Sequence, residues 1–385
     1  MTQSIRIVVA DDSPFLRGVL SSYLGDKCFQ IVGTAQNGRE AVDQVQSLRP
    51  DVVTLDVDMP VMSGLEALDE IMCHTPTPVV MVSGVSRRSA EITLRAIQLG
   101  AVDFILKYVP GARVDPATLR LDVISKVRAA AGIRVVRRIR GELSVLATPK
   151  SPPPAIPIKR RSSTESSSVL SKSGGRWRRA SHVPNNLVVI GASTGGPIAI
   201  RQFLESLPPD FAAPIIVVQH IPHPFAAVLA AQLHQQLPFT VQVAQGGESL
   251  EPGNIYLAPG DQHLLLDPSL TLEVHDGPLI DGHRPSIDVT MKSVAQNFPH
   301  ALFGVLLTGM GRDGAGGMAF IKSRGGRTFA QNSETCVVDG MPASAIALGA
   351  VDYVASPPGI AEQLSIEIRR VATTLAARAE TMAQT

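Results

Sequence analysis

Leu187-Val188-Val189-Ile190-Gly191-Ala192-Ser193-Thr194-Gly195-Gly196-Pro197 joins an apolar run to a turn of small residues, then to a segment that can coil into a helix. A short apolar run stopped by glycine reads as a buried strand, so the stretch predicts strand, tight turn and helix in succession. Gly191-Ala192-Ser193-Thr194-Gly195 fits the G-x-S-x-G pattern of a nucleophile elbow. Such a turn lifts a serine hydroxyl clear of its neighbours, and small flanking residues make room for it. The helix N-terminus behind it favours developing negative charge. A phosphate-cradling turn between strand and helix has the same outline, and this stretch alone leaves both readings open. The dinucleotide fingerprint is excluded, because Ser193 stands where G-x-G-x-x-G needs its second glycine.

The 385 residues leave room for two or three domains, and 44% apolar content can fill sizeable cores. Cys28, Cys73 and Cys336 are too far apart for a metal motif or a disulfide framework, which predicts a reducing, cytoplasmic setting. The first apolar run, Ile5–Ala10, is short and leads straight into Asp11 and Asp12. Neither a secretory leader nor direct membrane insertion is therefore expected. Charge divides the chain in three. Residues 1–125 carry 11 basic and 15 acidic side chains, residues 126–183 carry 14 and 2, and residues 184–385 carry 10 and 17. A basic middle thus separates two mildly acidic ends.

In the first part, strand-like runs at Ile5–Ala10, Ile31–Gly33, Val52–Leu55, Val79–Val82 and Phe104–Leu106 alternate with amphipathic stretches at Pro14–Leu24, Gly38–Leu48, Gly64–Met72 and Ala90–Leu99. The pattern predicts five βα units and an open, doubly wound parallel sheet, whose site forms at the carboxyl ends of the strands. Those ends carry Asp11 and Asp12, then Asp56, Ser83 and Lys107. Carboxylates gathered on one rim repel one another unless a hard cation such as Mg²⁺ sits among them. With the metal bound, Asp56 is a plausible nucleophile toward a phosphoryl group, whose oxygens Ser83 and Lys107 can bind. Any one of these is an ordinary rim residue; five at matching strand ends form a constellation.

Ala10-Asp11-Asp12-Ser13, the run from Asp56 to Gly64 and Met81-Val82-Ser83 resemble the motifs of response-regulator receiver domains, over residues 3–122. The resemblance implies that Asp56 accepts the phosphoryl group from a partner histidine kinase, that Ser83 and Lys107 support it, and that Asp11, Asp12, Asp56 and Asp58 hold Mg²⁺. Receivers usually follow the lysine with proline; here Tyr108 follows Lys107.

Residues 123–183 contain Pro152-Pro153-Pro154, a serine cluster from Ser162 to Ser168 and Ser173-Gly174-Gly175. Helical character is expected to run through 121–140 before this basic, Pro/Ser-rich stretch, which reads as a flexible linker. Its basic runs, including Arg176-Trp177-Arg178-Arg179, could touch an acidic partner or nucleic acid. No helix-turn-helix pattern follows, so no DNA partner is expected.

The last part alternates again. Strands are expected at Leu187–Ile190, Ile215–Gln219, Val241–Val243, Ile255–Leu257, Leu302–Leu307 and Arg327–Ala330, giving a second, Rossmann-like α/β domain. Leu264–Leu266 and Leu270–Val274 read as an inserted hairpin about Asp267-Pro268-Ser269. Three strand ends carry Ser193, His220 and the loop Thr308–Gly314 with Asp313. A serine needs a base, and an imidazole oriented by a carboxylate supplies one. The order Ser, His, Asp differs from the Ser, Asp/Glu, His of α/β-hydrolases, which disfavours an ordinary esterase fold.

Six motifs then resemble the methylesterase domain of chemotaxis response regulators, the CheB family: Ile190–Gly196, Val218–Pro222, Ala258–Asp261, His283–Asp288, Leu307–Gly314 and Gly340–Pro342. The resemblance covers residues 184–376, leaving a tail at 377–385. It implies Ser193 as nucleophile, His220 as base and Asp313 as the third triad member, with Met310 giving an oxyanion-hole N–H and Thr194 lining the site. The implied activity is phosphorylation-activated hydrolysis of glutamate 5-O-methyl esters on methyl-accepting chemotaxis receptors, releasing methanol, with deamidation of receptor glutamines by the same chemistry. No cofactor is implied in the esterase site. A module that only docks on receptors is the rival reading, and a DNA-binding regulator a weaker one.

Overall fold

The structure is a computed structural model and describes residues 4–25, 28–107, 116–133 and 183–383. Tyr108 and residues 134–182, the greater part of the expected linker, lie outside the described residues.

The first half runs β1 (Ile5–Ala10), α1 (Pro14–Tyr23), β2 (Phe29–Ala35), α2 (Gly38–Leu48), β3 (Val52–Asp56), α3 (Gly64–His74), β4 (Val79–Ser83), α4 (Arg87–Gln98), β5 (Asp103–Leu106) and α5 (Pro116–Ala131). Caps set where the helices begin: Ser13, Asn37 and Ser86 each accept an N-terminal amide, and Ser63 with Glu66 closes a capping box on α3. The five strands are parallel in the order β2-β1-β3-β4-β5. Alternate strand residues face opposite layers: Ile7, Val9 and Val80 pack on α1 and α5, while Val8, Val53 and Met81 pack on α2, α3 and α4. α5 buries Val123, Val127 and Ala130, so helix and core continue past the expected boundary at 122.

The second half runs β6 (Asn186–Ala192), α6 (Gly196–Glu205), β7 (Ile215–Gln219), α7 (His223–Gln236), β8 (Thr240–Val243), β9 (Asn254–Leu257), the hairpin β10 (His263–Leu266) and β11 (Leu272–His275), α8 (Ile287–Asn297), β12 (Ala301–Leu306), α9 (Ala315–Ser323), β13 (Arg327–Gln331), α10 (Gly340–Ala347), β14 (Tyr353–Ala355) and α11 (Pro357–Ala383). Seven strands lie parallel in the order β14-β13-β12-β6-β7-β9-β8. From β6 the chain moves first toward β7 and later to β12 on the other side. The crevice at the carboxyl ends of β6 and β12 is thus a topological switch point, where open α/β sheets bind ligands. The hairpin is antiparallel, as the sequence suggests, though its turn spans Asp267–Thr271. β14 and α11 were not foreseen. β14 is three residues long and mostly exposed, too short to leave a pattern, and α11 runs through the expected tail as far as Ala383.

The two halves share one core. Leu94, Ile97 and Phe104 of the first belong to the same buried cluster as Phe225 and Leu229 of the second. Phe104 and Phe225 stack with ring centroids 4.5 Å apart. This places the start of β5 against the segment that follows His220.

Two glycines of the elbow have steric causes. A Cβ on Gly191 would run into Ile287, the first residue of α8. Gly195 has φ of +77°, and its Cβ would lie 2.6 Å from Val337. Gly195→Ala should therefore lose about 1–2 kcal/mol or more of stability, seen as a lower melting temperature, while Gly325→Ala, equally left-handed but in open space, should lose less.

Candidate active site

Ser193 follows β6, and its N–H bonds to the Thr308 carbonyl after β12. His220 follows β7, with its N–H on the Ala192 carbonyl. Asp313 sits in the loop after β12. The His220 Nε2–Asp313 Oδ2 distance is 2.9 Å. The hydroxyl of Ser286 donates to Asp313 at 3.0 Å, and the backbone N–H groups of Ile287, Asp288 and Gly314 add bonds of 2.7, 3.0 and 3.0 Å. Ser286 is the N-cap of α8, so the carboxylate lies on a helix N-terminus. Burial pushes the Asp313 carboxyl up, but His220 and these amides outweigh it and bring it down to about 2. An ionised carboxylate only accepts, so Nε2 of His220 carries a proton, and in the neutral form of the ring the free lone pair is on Nδ1. Nδ1 is buried and has no hydrogen-bond partner among the described residues. The ring nitrogens thus exchange the roles they have in the familiar triad, where Nδ1 faces the aspartate.

Ser193, Thr194 and His220 line one cavity of about 250 Å³. Among the described residues the Ser193 hydroxyl has no hydrogen-bond partner. Gln219 bonds the Ser193 carbonyl through Nε2 at 2.9 Å and keeps a buried, unpartnered Oε1. Met310 lies in the loop directly after Gly309, where a Cβ would come 2.8 Å from that of Ser193. His283 stacks on His220, with centroids 4.1 Å apart and planes 8° from parallel. The far wall of the cavity comes from the first half: Ile97, Asp103, Phe104, Asp122 and Lys126. Thr194 Oγ1 donates to Asp103 Oδ2 at 2.6 Å. Burial raises the Asp103 carboxyl.

At the other sheet, Asp11, Asp12 and Asp56 each bring one carboxylate oxygen within 4.8 Å of the others. Asp11 Oδ2 is buried and lacks a hydrogen bond, and Lys107 lies 3.5 Å from it and 2.7 Å from Asp56. Burial lifts Asp56 to about 6, with Lys107 pulling it back and Asp11 pushing it further. The hard oxygen donors and the under-satisfied Asp11 fit a divalent ion such as Mg²⁺. The side chain of Asp58 is exposed and is not part of this group. Its backbone N–H donates to Asp56 Oδ1 at 3.3 Å. Ser83 accepts a 2.7 Å bond from Thr93 of α4.

Residues 188–364 match the CheB methylesterase family, and residues 7–117 match the response regulator receiver domain. The protein-glutamate methylesterase/protein-glutamine glutaminase of Symbiobacterium thermophilum is 40% identical over 362 residues, 94% of this chain and 96% of that protein. The chain belongs to the CheB methylesterase family. A relative of the same name from Archaeoglobus fulgidus is 37% identical over 370 residues, with 94% and 97% coverage. The crystal structure of the Thermotoga maritima CheB methylesterase catalytic domain is 41% identical, covering 46% of this chain and 96% of that one with a TM-score of 0.45. Ser193, His220 and Asp313 all lie within the residues matched by the CheB methylesterase family. Ser286 and His283 were quoted in a family motif without a role. Their signal was local: a serine before an apolar helix start, facing an aspartate only the fold brings near.

Burial and the neighbouring His220 depress His283 from 6.5 to about 4. The unfolded chain takes up that proton near pH 6.5, while the native fold refuses it until about pH 4. The contribution is full above pH 6.5 and lost as pH falls toward 4. The melting temperature should decline across that window, and His283→Phe should flatten the decline.

Proposed function

We propose that this chain is a phosphorylation-controlled protein-glutamate methylesterase acting in the cytoplasm on methyl-accepting chemotaxis receptors. The observation that carries the reading is the buried Asp313 carboxylate holding Nε2 of His220 beside Ser193 at the switch point. Names carried by the relatives support the substrate class.

In the forward step Ser193 Oγ attacks the ester carbonyl carbon, and Nδ1 of His220 takes the hydroxyl proton. The imidazolium gives that proton to the departing methoxide, which leaves as methanol. Water, deprotonated by His220, then attacks the acyl-enzyme, releasing glutamate and restoring the serine. A glutamine side chain enters the same sequence with ammonia as leaving group, which makes protein-glutamine deamidation a second activity of the site. Developing negative charge on the carbonyl oxygen is met by backbone N–H groups, with Met310 the assigned donor; one such donor is worth about 10²–10³ in rate.

Asp56 accepts the phosphoryl group from a histidine kinase. Asp11, Asp12 and Asp56 would hold Mg²⁺, which supplies charge neutralisation among the carboxylates. Lys107 and Ser83 bind phosphoryl oxygens. Both are already engaged, Lys107 by Asp56 and Ser83 by Thr93 of α4. Phosphorylation therefore pulls on β5 and α4, the elements that wall off the cavity. The receiver residues that form one wall of the cavity support a resting state in which the receiver restricts substrate entry.

Methanol release from methylated receptor membranes tests both halves. Ser193→Ala should abolish it, and Asp56→Ala should remove the response to a small phosphodonor with Mg²⁺. No methanol from the wild type under any condition would favour a docking module. Phe104→Ala, which breaks the stack on Phe225, should raise release without phosphodonor several-fold; an unchanged basal rate would remove the closure from the mechanism.

A further inference from the structure

Two restraints are needed to fix a planar base. The bond from Nε2 to Asp313 fixes one atom of the His220 ring but leaves the ring free to rock about that atom. We propose that His283 is a positioning residue for the reaction: stacked on the face of His220, it holds the imidazole plane so that Nε2 stays on Asp313 and Nδ1 keeps its aim for the Ser193 proton. The proposal rests on the triad reading above.

The stretch that carries His283 is built to hold it. Ile280 and His283 exchange backbone bonds of 3.0 and 2.9 Å around Asp281-Gly282, both left-handed at φ +48° and +84°. This is the turn that Asp-Gly favours in two-residue hairpins. Three residues later the same stretch becomes the Ser286 cap and the first amides of α8, which grip Asp313. Residues 280–288 thus restrain both partners of the nucleophile, one by a ring face and one by a helix terminus. His263 supports the stretch from beneath, its Nδ1 accepting from the Ser286 N–H at 3.1 Å.

Charge decides what such a ring can do. During attack His220 becomes an imidazolium, and a second cation 4.1 Å away would oppose it. The charged or titratable groups facing His283 are His220 and Asp313 from the triad, Asp122 from the receiver and Asp281 from its own turn. Asp103, Lys126, Asp261 and Arg284 share the cavity wall. Burial keeps His283 neutral throughout the range in which an imidazole base works. A neutral aromatic face over the imidazolium is favourable and keeps water off that side of the base.

The test uses the full-length protein with phosphodonor and Mg²⁺, and follows kcat and KM for methanol release against pH. His283→Ala should lower kcat about tenfold or more, the scale of a misplaced catalytic group, with KM nearly unchanged. The acid limb of its pH profile should move, because the ring face over the His220 imidazolium is gone. His283→Phe keeps a flat neutral ring and should restore kcat to within about threefold of wild type, together with the acid limb. A His283→Ala variant with wild-type kcat overturns the proposal. So does a folded His283→Phe variant as slow as the alanine one. If the alanine variant also loses thermal stability, rescue of kcat by phenylalanine supports positioning and failure of rescue overturns it. Ser193→Ala separates the two levels: if it still releases methanol, the triad reading falls and the proposal with it. If Ser193→Ala is inactive while His283→Ala is unimpaired, only the proposal falls.

Discussion

A carboxylate removed from water must find its hydrogen bonds elsewhere, and Asp313 finds five. Without them burial would neutralise it, and His220 would lose both its orientation and its tautomer. Much of the second half follows from that need. α8 must begin at the switch point, so that its first amides face the loop after β12. Gly191 must lack a side chain so that Ile287 can pack against the end of β6. The seven-stranded sheet supplies the frame, and the approach of α8 to β6 supplies the chemistry.

The first half presents the opposite situation. Asp11 and Asp56 are buried, one Asp11 oxygen is without a donor, and Lys107 sits between the two carboxyl groups. One site is saturated with hydrogen bonds and holds a fixed charge; the other is left short and suits a group that comes and goes. The link between them is covalent and close. Lys107 directly follows β5, and Asp103 at the other end of that strand reaches Thr194, one residue beyond Ser193.

Much of this was legible in the residue pattern. Buried parallel strands such as Ile5–Ala10 and Leu302–Leu307 are continuous apolar runs, and they appear within a residue of their expected ends because both faces of each sheet are covered. The placing of Ser193, His220 and Asp313 at strand ends was legible because each follows such a run. What escaped depends on long-range proximity. Ser286 and His283 precede a helix rather than end a strand, and nothing in their spacing reveals that they meet residues 220 and 313. Asp58 lies in the same motif, and its exposed side chain stands outside the group of three carboxylates. β14, at an exposed sheet edge, had no alternation to show.

The bond between Thr194 and Asp103 has a kinetic meaning. A carboxylate on the same chain, seated beside the nucleophile, occupies the ground that a glutamyl side chain must enter. On the proposed reading the receiver acts as a tethered competitor, at an effective concentration set by the tether and not by the cell. Competition of that kind multiplies the apparent affinity for substrate by the open fraction and leaves the rate at saturation untouched. A crowded receptor array, with many methyl esters within reach of one docked enzyme, would overcome such a competitor by local abundance alone. Phosphorylation would then matter most where receptors are sparse.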